Sequence, residues 1–129
     1  MTEIAKPTLR FTFPKSERLH SKKLIEELFN KGSYFYLYPF RVTFLPLTPT
    51  ETTQVLFSVS KKKFKSAVTR NKIKRKLKEA YRLNKTILDG SAYHVAFIYT
   101  SDELSEFSFA EKRIKKALQK LKELNQNLK

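Results

Sequence analysis

The sequence contains no cysteine and no tryptophan, and only two of its 129 residues are histidine. Without cysteine the chain forms neither disulfides nor thiolate metal sites, and it has no thiol nucleophile. His20 and His94 are too few for a histidine-rich zinc site or a serine-type catalytic triad. Apolar runs approaching the roughly 18 residues of a membrane span are missing too. Residues 1–14 have no continuous apolar core, so we expect no signal peptide and a cytoplasmic location.

Acidic residues are scarce, because 12 Asp and Glu stand against 27 Lys and Arg, for a formal net charge of +15. Such an excess repels itself, so a polyanionic partner is the first function class to consider. Hydrophobic residues make up 40% of the chain, which excludes wholesale disorder and allows a packed core. An anionic membrane is a weaker candidate, because no amphipathic segment pairs a basic face with a tryptophan-bearing apolar face.

Hydrophobic periodicity predicts three helices and at least three strands in the order α-β-β-α-β-α. A short extra strand is expected at 34–36. The predicted segments are a helix at 24–29 ending at Gly32, strands at 40–44 and 55–60, a loop at 61–69, a helix at 70–83, a strand at 94–99 and a helix opened by a capping-box pattern at 108–111. This order is typical of an α+β fold, a small single-domain α/β sandwich. We expect an extended arm at 1–17, a domain at 18–125 and a tail at 126–129.

Positive charge is concentrated in residues 61–78, which contain ten basic residues and no acid. On a helix, Asn71, Arg75 and Lys78 form one line that continues to Arg82, opposite an apolar stripe. Like charges one turn apart repel each other, so a helix built for stability alone would intersperse glutamate. Contact with phosphates explains the pattern better, although it does not distinguish DNA from RNA.

The segment 64–78 resembles the signature of the bacterial ribonuclease P protein component. It has an apolar residue and then Ala67, followed by Arg-Asn-basic-apolar-basic-Arg at 70–75 and apolar-basic at 77–78. Residues 58–62 resemble the strand end that precedes this signature in the family. Arg18-Leu19, followed by an amphipathic helix and Lys31-Gly32, resembles the family's first helix. The resemblance covers about residues 18–124.

The resemblance implies a left-handed βαβ crossover and a ribonucleoprotein in which the chemistry belongs to a partner RNA with Mg²⁺. The protein would bind that RNA and the single-stranded 5′ leader of precursor tRNA, which the complex removes. It would be a monomer in a 1:1 complex, with no catalytic residues, no protein-bound metal, and neither DNA nor membrane as a partner.

The resemblance and the charge pattern together predict two sets of site residues. The RNA-binding set is Lys61, Lys62, Arg70, Asn71, Lys72, Lys74, Arg75, Lys78 and Arg82. The resemblance places the leader cleft between the first helix and the open sheet face. Its predicted lining residues are Ile25, Phe29, Arg41, Thr43, Ser58 and Ser60, with Tyr34 and Tyr36 as alternative leader contacts.

Two other functions fit parts of the sequence. A protein-only metal nuclease would need clustered carboxylates, and neither a D-x-D nor a histidine–carboxylate pattern occurs. A non-catalytic RNA-binding or ribosome-associated protein fits the composition equally well, and only the 70–78 motif with its context favours ribonuclease P.

Overall fold

Four strands form a single mixed sheet in the computed structural model, which describes residues 13–104 and 106–127. The elements are α1 (Lys22–Lys31), β1 (Ser33–Leu37), β2 (Phe40–Pro46), β3 (Gln54–Val59), α2 (Ala67–Asn84), β4 (Tyr93–Tyr99) and α3 (Phe107–Asn127), with short 3-10 helices at Lys15–Glu17 and Lys85–Leu88. The predicted α+β class and order, including the extra strand, are confirmed. Within the described residues, none of the helices combines the length and apolar character that crossing a membrane requires.

The strands lie in the order β1-β2-β4-β3, so β1 and β3 are the two edges. Strand β2 pairs antiparallel with both β1 and β4, whereas β3 pairs parallel with β4. Parallel neighbours need a long crossover connection, and α2 supplies it. The helix that carries the basic motif is therefore part of a βαβ unit, as expected. The handedness of this unit stays a prediction.

The main core lies between one sheet face and helices α2 and α3. Side chains alternate along β2 and β4, so Phe40, Val42 and Phe97 point into this core while their neighbours point to the opposite face. Full burial of each such side chain stabilises the fold by about 1.5–3 kcal/mol. A smaller cluster around Leu28 and Ala96 attaches α1 to the other face. Both faces of the sheet therefore carry helices.

The described part of the predicted N-terminal arm, residues 13–17, is not extended, so that prediction is wrong there. Phe13 is buried in the main core, with its ring edge-on to Tyr81 and Phe57 at centroid distances of 5.4 and 6.1 Å. Residues 1–12 of the predicted arm lie outside the described residues. At the other end, α3 continues to Asn127, so the predicted tail does not begin at 126, and residues 128–129 lie outside the description.

Both basic helices begin earlier than predicted. Helix α2 begins at Ala67 because the hydroxyl of Ser66 accepts a hydrogen bond from the Thr69 amide at 3.3 Å, which makes Ser66 the N-cap. Helix α3 begins at Phe107, one residue before the predicted capping box. The carboxylate of Glu111 instead accepts a hydrogen bond from Asn84 of α2 at 3.0 Å, which joins the two helices.

Candidate nucleic-acid interface

Helix α2 turns its predicted apolar stripe inward. Ile73, Leu77 and Tyr81 are at most 5% exposed, and they pack in the main core. The predicted phase of the helix is therefore confirmed, and the opposite side faces solvent. Asn71, Lys72 and Arg75 are exposed, while Lys74 and Lys78 are half-buried with their positions flanking the stripe.

Arg70 is partly committed to its own chain. Its Nη1 donates hydrogen bonds to the backbone carbonyl oxygens of Phe64 and Lys65, at 2.8 and 3.0 Å. These bonds join the loop before α2 to the first turn of the helix. A guanidinium group carries five N–H donors, so a phosphate contact through its other nitrogens is compatible with this role. Arg70 thus also positions the motif that it belongs to.

Arg82 differs from the other predicted phosphate contacts because an acid neutralises it. Its Nε and Nη2 donate to the two carboxylate oxygens of Glu79 at 3.0 and 2.6 Å. This hydrogen bonding lowers the pKa of Glu79 below its ordinary value. Because the pair is close to neutral in sum, Arg82 attracts a phosphate less than Arg75 does.

Lys78 lies in a region of unbalanced positive charge. Partial burial is the main cause that lowers the pKa of its ammonium group, and the nearby charges of Arg18 and Lys74 lower it further. An anion bound beside Lys78 would reverse this effect, because opposite charges favour the charged form. Arg18 was not among the predicted RNA contacts. Arg18 is far from the motif in sequence, so no local pattern shows that the fold brings its charge near Lys78.

The loop after β3 presents two of the predicted cations. Lys61 and Lys62 are exposed, and the Lys62 amide donates to the Ser60 hydroxyl at 3.1 Å. Lys63 donates through its ammonium group to the Thr100 carbonyl oxygen just after β4. The basic loop is thus held against the end of the sheet, beside the beginning of α2.

The predicted cleft floor contains one continuous row of side chains across the sheet. Strand register places Tyr36, Arg41, Ile98 and Ser58 side by side on β1, β2, β4 and β3. Arg41 is exposed, and Ser58 and Ser60 are half-buried. The row leads from one edge of the sheet to the residues that precede the basic loop.

The next row of the sheet lies deeper, and here one prediction is wrong. Thr43 is only 4% exposed, so it does not line an open floor. Its neighbours in register are Tyr34 and Ala96, and Ala96 belongs to the small core under α1. The Thr43 hydroxyl has no hydrogen-bond partner among the described residues. An alternation pattern identifies the face of a strand, but it does not show how far a helix covers that face.

Helix α1 contributes two predicted residues with different environments. Phe29 is 45% exposed and is available for contact. Ile25 is half-buried and packs against the small core around Leu28. Both positions lie beside the sheet face that carries Arg41, and their role toward a leader stays a prediction.

The two tyrosines that the sequence offers as alternative leader contacts are exposed and adjoin this floor. Tyr34 and Tyr36 on β1 are 62% and 58% exposed. The guanidinium carbon of Arg41 lies 4.2 Å from the ring centroid of Tyr34, and the hydroxyl of Tyr36 lies 3.1 Å from the Thr100 hydroxyl. The sequence signal for them is the aromatic run beside a strand that lacks acids.

The described residues provide no metal-binding cluster at this surface. Residues 13–104 and 106–127 contain no group of three or more His, Asp or Glu side chains that could hold a metal ion. The metal-nuclease alternative therefore has no ligand set in this part of the chain. A cavity of about 390 Å³ is lined by Glu17, Tyr81 and Lys85 among others and by none of the predicted site residues.

Comparison with known proteins gives a consistent result. The family model described as Ribonuclease P matches residues 13–122. A ribonuclease P protein component of Porphyromonas gingivalis is 38% identical over 116 residues, which cover 84% of this chain and 85% of the relative. That of Chlorobaculum tepidum is 38% identical over 80 residues, which cover 58% and 52% of the two chains.

Two solved structures share the fold. The RNase P protein of Staphylococcus aureus aligns with a TM-score of 0.68 at 22% identity, covering 84% of this chain and 97% of that one. The RNase P protein of Thermotoga maritima aligns with a TM-score of 0.70 at 22% identity, covering 81% and 96%.

Proposed function

The chain belongs to the ribonuclease P protein family and acts as the protein subunit of that endoribonuclease in tRNA processing, and from this premise we propose how its surface does so. Its partner is the ribonuclease P RNA. In our proposal the protein binds and orients RNA, and the RNA partner carries out the hydrolysis. The complex contains one copy of each, acts in the cytoplasm, and uses neither DNA nor membrane as a partner.

The observation that carries this proposal is the two-sided character of α2. Ile73 and Leu77 anchor one side in the core, while Arg75 and Asn71 on the opposite side are exposed. Each cation that neutralises a phosphate releases condensed counterions, so binding is strong and falls steeply with salt. A rigid helix presents these cations without the entropy loss of ordering a loop. We therefore assign the exposed side of α2 and the loop at 61–62 to the catalytic RNA.

The 5′ leader of precursor tRNA is proposed to follow the row of Arg41 and Ser58 toward Ser60. A single strand needs a cationic track for its backbone and flat side chains for its bases. Arg41 provides charge, and the exposed ring of Phe29 provides a stacking surface on the α1 side. Ile25 supports that side from its half-buried position, and Thr43, being buried, has no direct contact in this proposal.

Magnesium ions held by the RNA partner would activate the attacking water and stabilise the leaving oxygen. The chain's own contribution is to neutralise phosphates and hold the leader in place. Both effects lower the concentration of divalent ions that assembly requires, because protein cations replace some counterions around the RNA.

Reconstitution tests the proposal directly. Ribonuclease P RNA and a precursor tRNA are mixed at low Mg²⁺ with and without the chain, and removal of the 5′ leader is followed over time. We expect the chain to accelerate cleavage, Arg75→Ala to reduce this stimulation, and the matched charge loss Lys116→Ala on α3 to leave it nearly unchanged. Equal cleavage with and without the chain would contradict the proposal.

The alternative of a ribosome-associated RNA-binding protein makes a different prediction for the RNA that co-purifies. A ribonuclease P subunit retains one structured RNA species, whereas a ribosome-associated protein sediments with ribosomes. Sequencing the retained RNA distinguishes the two.

A further inference from the structure

The edge strand β1 exposes aromatic surface that the proposed leader contacts do not use. Tyr34 and Tyr36 are 62% and 58% exposed, although an edge strand with exposed rings favours unwanted pairing with other chains. Residues 33–46 contain no Asp or Glu and one cation, Arg41. Exposed aromatic patches on an edge strand mark interaction surfaces.

Both rings are held in place before any partner binds. The Arg41 guanidinium carbon lies 4.2 Å from the Tyr34 ring centroid, within the range of a cation–π contact. The Tyr36 hydroxyl is hydrogen-bonded to Thr100 at 3.1 Å. A ring has two faces, and Arg41 covers one face of Tyr34, so the other is available. Preorganised rings lose little entropy when a planar partner stacks on them.

The two rings continue the proposed RNA surface. Tyr36 is the register neighbour of Arg41, and the row runs on through Ile98 to Ser58. This row spans three interstrand steps of about 4.8 Å each. Thr100 connects Tyr36 to the basic loop. Its hydroxyl is hydrogen-bonded to the Tyr36 hydroxyl, and its carbonyl oxygen accepts a hydrogen bond from Lys63.

We propose that Tyr34, Tyr36 and Arg41 form an edge platform on which unpaired bases of an RNA strand stack. The inference rests on the proposed function and extends it to a strand that the family resemblance does not assign. Unpaired bases are the fitting occupant because base-paired RNA hides the faces of its bases from aromatic side chains. A second copy of the chain fits less well, since each copy carries a net charge of +15 and the two would repel.

Binding of a short unstructured RNA tests the platform. The full chain is titrated into a single-stranded oligonucleotide that carries 2-aminopurine, whose fluorescence falls on stacking. We expect Tyr34→Leu and Tyr36→Leu each to weaken binding roughly tenfold and to reduce the quenching, as loss of a base–aromatic stack does. Tyr34→Phe retains the ring and should bind like the unmodified chain. Leu104→Ala, which removes an exposed apolar side chain elsewhere, should also bind normally.

Three RNA arms identify the source of the bases: precursor tRNA with its leader, the same tRNA without it, and ribonuclease P RNA alone. A loss confined to the leader-bearing substrate assigns the platform to the leader, and a loss with the RNA subunit assigns it to that partner. Circular dichroism and thermal unfolding verify that the leucine variants fold. If a leucine variant does not fold, the ring-retaining Tyr36→Phe variant is compared with Arg41→Gln instead. Unchanged quenching with Arg41→Gln then counts against the platform.

Unchanged binding of the folded leucine variants to all three RNAs overturns the inference. So does concentration-dependent dimerisation of the unmodified chain that the same variants abolish. If the unmodified chain stimulates leader removal while the leucine variants stimulate it equally, the platform fails and the proposed function stands. If the unmodified chain itself gives no stimulation, the proposed function fails.

Discussion

Arg82 and Glu79 form a two-pronged ion pair one turn apart on α2, with nitrogen–oxygen distances of 2.6 and 3.0 Å. Glu79 is the single acid of that helix, so the pair divides the basic surface into a cationic first part and a nearly neutral end. Glu79 also lies one turn from Arg75, but its carboxylate forms the ion pair with Arg82. The two arginines should therefore contribute unequally to RNA binding although both lie on the same predicted line.

Replacing Glu79 by Gln should strengthen RNA binding, because it removes a negative charge and the competitor for Arg82. Fluorescence anisotropy at several salt concentrations should show a steeper salt dependence, by up to about 0.9 in the logarithmic slope for one added phosphate contact. Arg82→Ala should weaken binding less than Arg75→Ala does. Glu123→Gln makes the same charge change on α3 and should have a smaller effect. Weaker binding by Glu79→Gln would show that the pair itself contacts RNA.

Neighbouring positions on α2 should separate RNA binding from folding. Arg75→Ala should weaken binding and leave the unfolding midpoint nearly unchanged, because the Arg75 side chain is exposed. Ile73 is 5% exposed, so Ile73→Asp buries a charge in the core and should prevent stable folding, at a loss of several kcal/mol. Urea unfolding followed by circular dichroism measures both. A folded Ile73→Asp variant would show that the assigned inner side of α2 is wrong.

Much of this architecture is predictable because alternation and helical spacing report burial directly. The stripe of Ile73 and Leu77 and the faces of β2 follow from such patterns, and the motif at 70–78 predicts the RNA surface. The depth of burial does not follow, because it depends on which helix covers which row, as Thr43 shows. Electrostatic effects between distant segments, such as that of Arg18 on Lys78, also leave no local pattern.

Phe13 is another residue whose burial in the core does not follow from its local sequence. Its replacement should destabilise the fold. Its ring packs edge-on against Tyr81 and Phe57, and edge-to-face packing adds to the energy of burial. Phe13→Ala should lower the free energy of unfolding by about 3 kcal/mol, near the lower end for a buried phenylalanine. Phe29→Ala removes a half-exposed ring and should cost far less. Equal losses in urea unfolding would place Phe13 outside the core.

Position 32 requires glycine because the surrounding backbone leaves no room for a Cβ atom. A Cβ atom there would lie 2.4 Å from the carbonyl oxygen of Leu28 and 2.7 Å from that of Phe44. Backbone atoms cannot move aside without shifting α1 against β2, so Gly32→Ala should destabilise the chain by roughly 1–3 kcal/mol. Thermal unfolding measures the loss.

Gly90 offers the contrasting case, because its φ of +87° favours glycine while a Cβ atom there would meet only the flexible end of the Lys122 side chain, at 3.4 Å. Gly90→Asn should therefore be tolerated better than Gly32→Ala, since asparagine adopts positive φ more readily than other residues. The reverse order of stability would contradict both assignments.

His94 should make folding sensitive to mild acid. It is 7% exposed on β4, and its Nδ1 has no hydrogen-bond partner within the described ranges. Burial lowers the pKa of its imidazole below 6.5, and Glu51 and Glu27 only partly oppose this effect. The unfolded chain therefore binds the proton more tightly, so the contribution of His94 to stability is complete above about pH 6.5 and falls as the pH drops toward the folded pKa. The slope is at most about 1.4 kcal/mol per pH unit for one group.

Urea unfolding at pH values from 7.5 down to 5 measures this dependence. His94→Leu removes the titrating group from its buried position and should flatten the curve in that range, whereas His20→Gln at an exposed position should leave it unchanged. If His94→Leu and the unmodified chain lose stability in parallel, carboxylates rather than His94 govern the acid response. The predicted difference between the two variants follows from the burial of His94. Burial favours the neutral imidazole over the charged one.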